Sequence, residues 1–282
     1  MEKIIIHGGV SITADKDSLD YKKNDALVQI AKKSFYTLRD YNSKKSVLNA
    51  VQMLEDNPLF NAGTGSKIQS DKQVRMSAAL MDGNNNNFSG VVNVQNIKNP
   101  IQAAAILSKE EFSILSGDQA TDFCRKKGLE KYNPITSERL DEFKKMCSGK
   151  HGTVGAVAID SEGMVFSGTS TGGVGFETPG RVSDSPTVAG TYASKKAGVS
   201  CTGIGEQIIR QAVAAKIVTR VDDGMKLYKA VEKTILEANK LNYLFGLISL
   251  DYKGNYKIGK TAGINKVYYA FFDGKEIKSF LD

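Results

Sequence analysis

A layered α+β sandwich is the fold class this sequence predicts, and two textures carry the prediction. Apolar residues recur with helical periodicity in both halves of the chain, at 27–38, 47–54, 208–217 and 227–238. Between them lie paired apolar runs joined by short polar turns, which read as hairpins and therefore as largely antiparallel sheets. Helices with one apolar face must bury it against such sheets. The composition agrees. At 282 residues, 41% hydrophobic and 24% charged, with 27 Gly and 5 Pro, the chain is ordinary for a globular protein, which excludes collagen-like, disulfide-scaffold and wholly disordered classes.

The elements follow in order. Ile4-Ile5-Ile6 reads as a short buried strand that stops at His7-Gly8-Gly9. Leu27, Ile30, Ala31, Phe35 and Leu38 form one helical stripe; Val47, Leu48, Val51 and Leu54 form a second, ended by Pro58. Strands are expected around 65–68 and 74–80, then a turn at Asp82-Gly83 and 84–87, and another strand at 91–94. A helix opens after Pro100 and runs from Ile101 to Leu107. Residues 125–150 are charged and weakly patterned, and read as a mobile connector holding one short helix near Leu140 and Phe143. A hairpin follows, with strands 153–160 and 164–170 around Ser161-Glu162-Gly163. Cys201 to Gly205 leads into a helix with Ile208, Ile209, Ala212, Val213 and Ile217 inward. Leu227, Ala230, Val231, Thr234, Ile235 and Ala238 make the last helix, and strands 244–250 and 256–260 the last hairpin.

The formal charge of +7 could favour nucleic acid, but the lysines come as scattered pairs, such as Lys22-Lys23 and Lys195-Lys196, and read as a solubilising surface with no nucleic-acid partner. Cys124, Cys147 and Cys201 form no C-x-x-C pair, and His7 and His151 are the only histidines, so a transition-metal site is not expected. One cation and three apolar residues near the N-terminus fall short of the roughly 7–15-residue apolar run of a signal peptide, which implies a cytoplasmic protein with no membrane partner. The glycine-rich stretch 168–173 lacks a P-loop ending, and Gly203-Ile204-Gly205 lacks the rest of a dinucleotide fingerprint.

The informative stretch is His151-Gly152-Thr153-Val154-Gly155-Ala156-Val157. A threonine heading a strand is by itself usually a plain β-former. Here it is followed by Gly168-Thr169-Ser170-Thr171-Gly172-Gly173, by Gly180-Arg181-Val182-Ser183-Asp184-Ser185-Pro186, and by Cys201-Thr202-Gly203; it is preceded by Asn57-Pro58-Leu59-Phe60-Asn61-Ala62-Gly63 and Met81-Asp82-Gly83. In order and spacing these motifs resemble the plant-type L-asparaginase and isoaspartyl peptidase family of N-terminal-nucleophile hydrolases, over most of the chain.

The resemblance implies a four-layer αββα sandwich, with two stacked, largely antiparallel sheets flanked by helices, forming one domain over 1–282. It implies self-cleavage at Gly152-Thr153, giving an α subunit 1–152 and a β subunit 153–282. The Thr153 hydroxyl would attack the Gly152 carbonyl, and the ester left by the acyl shift would be opened by water. The freed α-amine, with a reference pKa of about 7.7–8.0, can then accept the proton of its own side-chain hydroxyl, so no histidine base is required. By the same resemblance Thr171 orients the nucleophile, Arg181 takes the substrate α-carboxylate and Asp184 its α-ammonium. Thr202 and the Gly203 N–H form the oxyanion hole, and Asn61 lies near the nucleophile. Backbone carbonyls of Leu54, Glu55, Asn57, Phe60, Ala62 and Thr64 would hold a structural sodium ion, with no cofactor for catalysis.

A homodimer of processed αβ units, acting on L-asparagine and β-aspartyl dipeptides, is the implied assembly and activity. The chain departs from the family pattern at Val10, Arg75, Ser77, within 113–117, and at Ser183. Two alternatives stay open. A glycosylasparaginase of the same fold would usually carry Asp before the threonine and a tryptophan near the N-terminus, whereas this chain has Gly152 and no Trp. A catalytically silent protein that binds through its basic surface would remain uncut.

Overall fold

The computed structural model describes residues 2–12, 18–145 and 152–282; Cys147 and His151 lie outside the described residues. Strand β1 (Lys3–Ser11) is followed by helices α1 (Ser18–Asp40) and α2 (Ser43–Glu55), the latter capped by Asn42, whose side chain accepts from Lys45 N. β2 (Met76–Asp82) and β3 (Asn87–Val94) make a hairpin. Next come α3 (Pro100–Leu107), which starts on its proline, β4 (Ile114–Ser116), α4 (Gly117–Lys126) and α5 (Ser137–Lys144). β5 (Val154–Ile159) pairs with β6 (Val165–Thr171), and β7 (Thr191–Ala193) with β8 (Ala197–Gly203). Helices α6 (Gly205–Gln211), α7 (Val213–Asp222) and α8 (Leu227–Asn239) precede β9 (Phe245–Asp251), β10 (Tyr256–Lys260), β11 (Lys266–Phe272) and β12 (Ile277–Ser279).

The strands form two sheets, an eight-stranded one in the order β12-β11-β1-β5-β6-β2-β3-β4 and a four-stranded one in the order β10-β9-β8-β7. Every pairing is antiparallel except β3 with β4. Side-chain alternation then builds the layers. On the outer face of the large sheet Ile4, Ile6, Val154, Ala156 and Ala158 pack on Leu27, Leu38, Val47, Val51 and Ile101 of α1, α2 and α3. On the outer face of the small sheet Val199, Cys201, Phe245 and Leu247 pack on Ile208, Ile217, Val218 and Val231 of α6 to α8. Between the sheets lie Ile5, Met81, Val157, Ile159, Val165, Ile248, Leu250 and Phe271. The result is the expected αββα sandwich. Among the described residues no helix is long and apolar enough to cross a membrane.

Several local expectations change. β1 does not stop at His7-Gly8-Gly9. It runs on to Ser11 through an irregularity between His7 and Val10, because β11 continues to pair with it up to Ser11↔Lys266. Residues 65–68 are not a strand; Gly65 N and O bond to Pro134 O and Arg139 Nε instead of to a neighbouring strand. Cys201 to Gly203 closes β8 and leads, as expected, into a helix that begins at Gly205. The helix expected across 208–217 is broken at Ala212, which adopts a left-handed conformation (φ 48°) and leaves Ile209 exposed. The short helix near Leu140 and Phe143 is α5, but its segment is fastened up to residue 145, and α4 precedes it. β4, β7, β11 and β12 were not anticipated.

Candidate active site

The period of two along each strand decides what fills the layer between the sheets. On β5 the inward positions are Gly155, Val157 and Ile159, with Thr153 continuing the series; on β6 they are Val165, Ser167, Thr169 and Thr171; on β1, Ile5 and His7. Each series passes from apolar residues at one end to hydroxyls, glycine or histidine at the other. On the small sheet Ser200 and Thr202 of β8 occupy the same polar end.

Thr153 stands at that end. It is 7% exposed, and its Oγ1 donates to Thr171 Oγ1 at 3.2 Å. Thr171 Oγ1 also accepts from Gly173 N at 3.2 Å, so the tight turn after β6 holds this hydroxyl in place. Gly152, immediately before the nucleophile candidate, lies against Asn61; a Cβ there would sit 3.2 Å from Asn61 Cβ. Asn61 is itself locked, with Nδ2 donating to Gly173 O (2.6 Å) and Oδ1 accepting from Lys67 N (2.9 Å). A narrow cleft is lined by Gly152, Thr153, Thr171, Gly173, Val174, Arg181, Ser183, Asp184 and Gly203. Thr153, Thr171, Arg181, Asp184 and Gly203 therefore converge on one cleft, with Asn61 beside them against Gly152 and Gly173.

Arg181 is not paired with Asp184. Its Nε and Nη2 donate to the two Glu206 oxygens (2.7 and 3.1 Å), and Nη1 donates to Glu177 Oε2 (2.8 Å). Burial opposes its charge, but hydrogen bonding to Glu206 and the charge of Glu177 outweigh burial and raise its pKa. Further N–H donors on the terminal nitrogens are left for a bound carboxylate. Asp184 is 2% exposed, and its Oδ2 finds no partner among the described residues. Burial pushes its pKa up to about 7, against the lowering effect of its backbone hydrogen bonds and of Arg181. A buried carboxylate with an orphaned oxygen suits a cationic ligand group.

Thr202 is fully buried, one position behind the cleft wall, and its Oγ1 also lacks a partner among the described residues. Gly203 lines the cleft at φ +144°, and any Cβ there would meet Phe245 Cα at 2.5 Å, so only glycine can present its backbone at this point.

Sequence reasoning missed four contributors. Glu177 and Glu206 clamp Arg181, and they could have been suspected only from their short spacing to Arg181 and Gly203. His7 and Ser200, 193 residues apart, form a chain behind Thr153: His7 Nε2 lies 2.8 Å from Ser200 Oγ, which lies 2.7 Å from Thr169 Oγ1. Burial pushes the His7 pKa down to about 3, partly offset by a hydrogen bond to the Thr153 backbone, so the ring is neutral at pH 7. This chain needs Gly155 between its members, since a Cβ there would fall 2.0 Å from Ser200 Oγ and 2.5 Å from His7 Nε2. The alternation along β1, β5 and β6 carried that signal.

The departures from the family pattern have structural partners. Arg75 Nη1 donates to Gln69 Oε1 (2.7 Å), and Gln69 Nε2 donates to Glu177 Oε1 (2.9 Å), so Arg75 supports the Arg181 clamp at one remove. Ser77 Oγ accepts from Asn93 N (3.0 Å), while Asn93 Nδ2 donates to Arg181 O (3.1 Å). Ser183 lines the cleft, and Val10 is buried with Ile264 and Val267. Residues 113–117 form β4 and the start of α4, at the sheet edge.

The loop from Leu54 to Thr64 carries backbone carbonyls of the donor type that suits a hard cation. Leu54, Glu55 and Asn57 carbonyls each accept one backbone bond, from Asn57 N (3.3 Å), Thr64 N (2.7 Å) and Phe60 N (3.1 Å). A second lone pair stays open on each. Such oxygen donors match an alkali or alkaline-earth ion rather than a soft metal.

An αββα sandwich whose inter-sheet layer opens at one end onto a threonine is the architecture of the N-terminal-nucleophile hydrolases. Within that class the chain belongs to the asparaginase family, whose model (Asparaginase_2) matches residues 1–281. It is 46% identical to an isoaspartyl peptidase/L-asparaginase of Synechocystis sp., over 93% of this chain and 85% of that protein. It is 37% identical to a plant-type L-asparaginase of Pyrococcus horikoshii, over 98% of each chain. An isoaspartyl peptidase of Escherichia coli is 35% identical over 89% of this chain and 87% of its own.

Proposed function

We propose that this protein is a self-processing threonine hydrolase that converts L-asparagine to L-aspartate and ammonia and cleaves the isopeptide bond of β-aspartyl dipeptides. The observation that carries this reading is Thr153, buried behind Gly152, hydrogen-bonded to Thr171 and sharing one cleft with Arg181 and Asp184. In maturation the Thr153 hydroxyl attacks the Gly152 carbonyl carbon, the peptide C–N bond breaks, and water hydrolyses the resulting ester. The products are an α subunit 1–152 and a β subunit beginning at Thr153.

In turnover the new α-amine takes the hydroxyl proton, and Oγ1 attacks the side-chain carbonyl of the aspartyl unit. Arg181 and Asp184 fix that unit by its α-carboxylate and α-ammonium, so the reacting carbonyl arrives in register with Oγ1. The Thr202 hydroxyl and Gly203 N–H stabilise the developing oxyanion, and ammonia or the amine of the second residue leaves with a proton. Water then releases aspartate from the acyl-enzyme.

No cofactor takes part in catalysis. The carbonyls of Leu54, Glu55, Asn57, Phe60, Ala62 and Thr64 would hold a sodium ion that stiffens the loop carrying Asn61. The working form is a homodimer of αβ units in the cytoplasm, with no nucleic-acid or membrane partner. Denaturing electrophoresis beside an ammonia-release assay tests the proposal. Two polypeptides and turnover of both substrates are expected, with Thr153→Ala left as one silent chain; an uncut wild-type chain that still hydrolyses asparagine would overturn it.

A further inference from the structure

Helix α5 precedes the proposed cleavage bond and carries none of the residues assigned to chemistry, yet it is built onto the site. Its N-terminus is capped by Thr136, whose hydroxyl accepts from Arg139 N (3.3 Å). The segment before it is tied to the loop that bears Asn61: Gly65 N donates to Pro134 O (2.9 Å), Thr64 Oγ1 lies 2.9 Å from the Tyr132 hydroxyl, and Arg139 Nε donates to Gly65 O (2.5 Å). At the other end of the helix, Phe143 stacks on Phe176, with ring centroids 4.9 Å apart and planes within 7°.

Phe176 holds a left-handed backbone, φ +54°, which disfavours any residue with a Cβ and persists only where the surroundings impose it. The residue next to it is Glu177, which accepts from Arg181 Nη1 (2.8 Å), Val174 N (3.1 Å) and Gln69 Nε2 (2.9 Å). Gly173 and Val174 of the same loop line the cleft. The Phe143 ring therefore lies against Phe176, whose left-handed backbone, held by Phe176 N donating to Ile68 O (2.9 Å), leads directly into the Glu177 that accepts from Arg181.

We propose that α5 stays docked after maturation as a strap, and that Phe143 is a positioning residue acting on Arg181 through Phe176 and Glu177. The inference rests on the reading of Arg181 as the receptor for the substrate carboxylate. It assigns to the end of the α subunit a share in substrate recognition, where a spacer left over from cleavage would have none.

The test is steady-state kinetics on processed wild-type, Phe143→Ala, Phe143→Tyr, Phe176→Ala and the double alanine variant, with L-aspartate affinity measured by calorimetry on the same samples. Phe143→Ala should raise KM for L-asparagine and weaken L-aspartate binding by about tenfold, the scale of a lost aromatic pair, with kcat within about twofold. Phe143→Tyr, which keeps the ring, should restore wild-type KM. Phe176→Ala should match Phe143→Ala, and the double variant should add nothing to either single change. Should Phe143→Ala fail to fold, Phe143→Leu gives the same reading, since it fills the space without a stacking plane. An unchanged KM, a loss confined to kcat, or additive effects of the two alanines would each overturn the strap. Those outcomes differ from failure of the proposed activity, in which wild-type enzyme itself turns over neither substrate.

Discussion

Strands β1, β5 and β6 each contribute inward residues to both ends of the layer between the sheets, and the two ends differ in kind. At one end Ile5, Val157, Ile159, Val165 and Leu250 exclude water and join the sheets by apolar contact. At the other end the next inward positions of β1, β5, β6 and β8 are His7, Gly155, Thr169, Thr171 and Ser200, with Thr153 just ahead of β5. Hydroxyls and a neutral imidazole hold one another there by hydrogen bonds, and the orphaned polar atoms of Thr202 and Asp184 gather nearby. Apolar packing fills the first end, and the groups assigned to chemistry in the proposed function gather at the second. A strand needs only to change its inward residues, not its backbone, to pass from one to the other.

The largest expected effect lies at the polar end. Thr153→Ala should abolish both processing and turnover, measured by gel and by ammonia release, while leaving the thermal unfolding midpoint close to that of unprocessed wild type. Thr202→Val keeps the shape and removes the hydroxyl; it should lower kcat by about 10²–10³, the usual cost of one oxyanion donor, in stopped-time assays of processed enzyme. Arg181→Lys should lower kcat/KM by roughly 30-fold, mostly through KM, because a lysine cannot reproduce the planar contacts to Glu177, Glu206 and a carboxylate.

Next in size is a pH effect. The Asp184 carboxyl, pushed up to about 7 by burial, must be ionised to hold an ammonium. Acidification through pH 7 protonates it, so KM for L-asparagine should be about tenfold higher at pH 6 than at pH 8, and Asp184→Asn should flatten that profile at a uniformly high KM. The smallest catalytic effect belongs to the apolar end. Leu250→Ala should cost about 2–5 kcal/mol in denaturant unfolding while kcat of the folded enzyme stays unchanged. A kcat loss there comparable to that of Thr202→Val would break the contrast between the two ends.

Much of this was legible in the sequence, in ways that follow the range of the interactions. The α1, α2 and α8 stripes and the hairpins of β5 with β6 and β9 with β10 are local patterns, and their periodicity survives into the structure. The threonines at 153, 171 and 202, with Arg181 and Asp184, were read from motif order; the fold brings Thr153, Thr171, Arg181 and Asp184 around one cleft and sets Thr202 one residue behind its wall. What escaped depends on pairing across long separations. β1 continues past its glycines only because β11 lies beside it, and the His7–Ser200 contact joins opposite sheets. β4 was hidden because its strand residues are largely exposed and lack an apolar rhythm. The break at Ala212 carries no glycine or proline to announce it.

The central claim is that the Gly152-Thr153 peptide bond is opened to release an amine beside the nucleophilic hydroxyl. N-terminal sequencing and intact mass of the smaller polypeptide from purified, active protein test this most directly. The account predicts a chain that begins Thr-Val-Gly-Ala. An active preparation whose smaller chain begins at any other residue, or that contains no second chain, would contradict it.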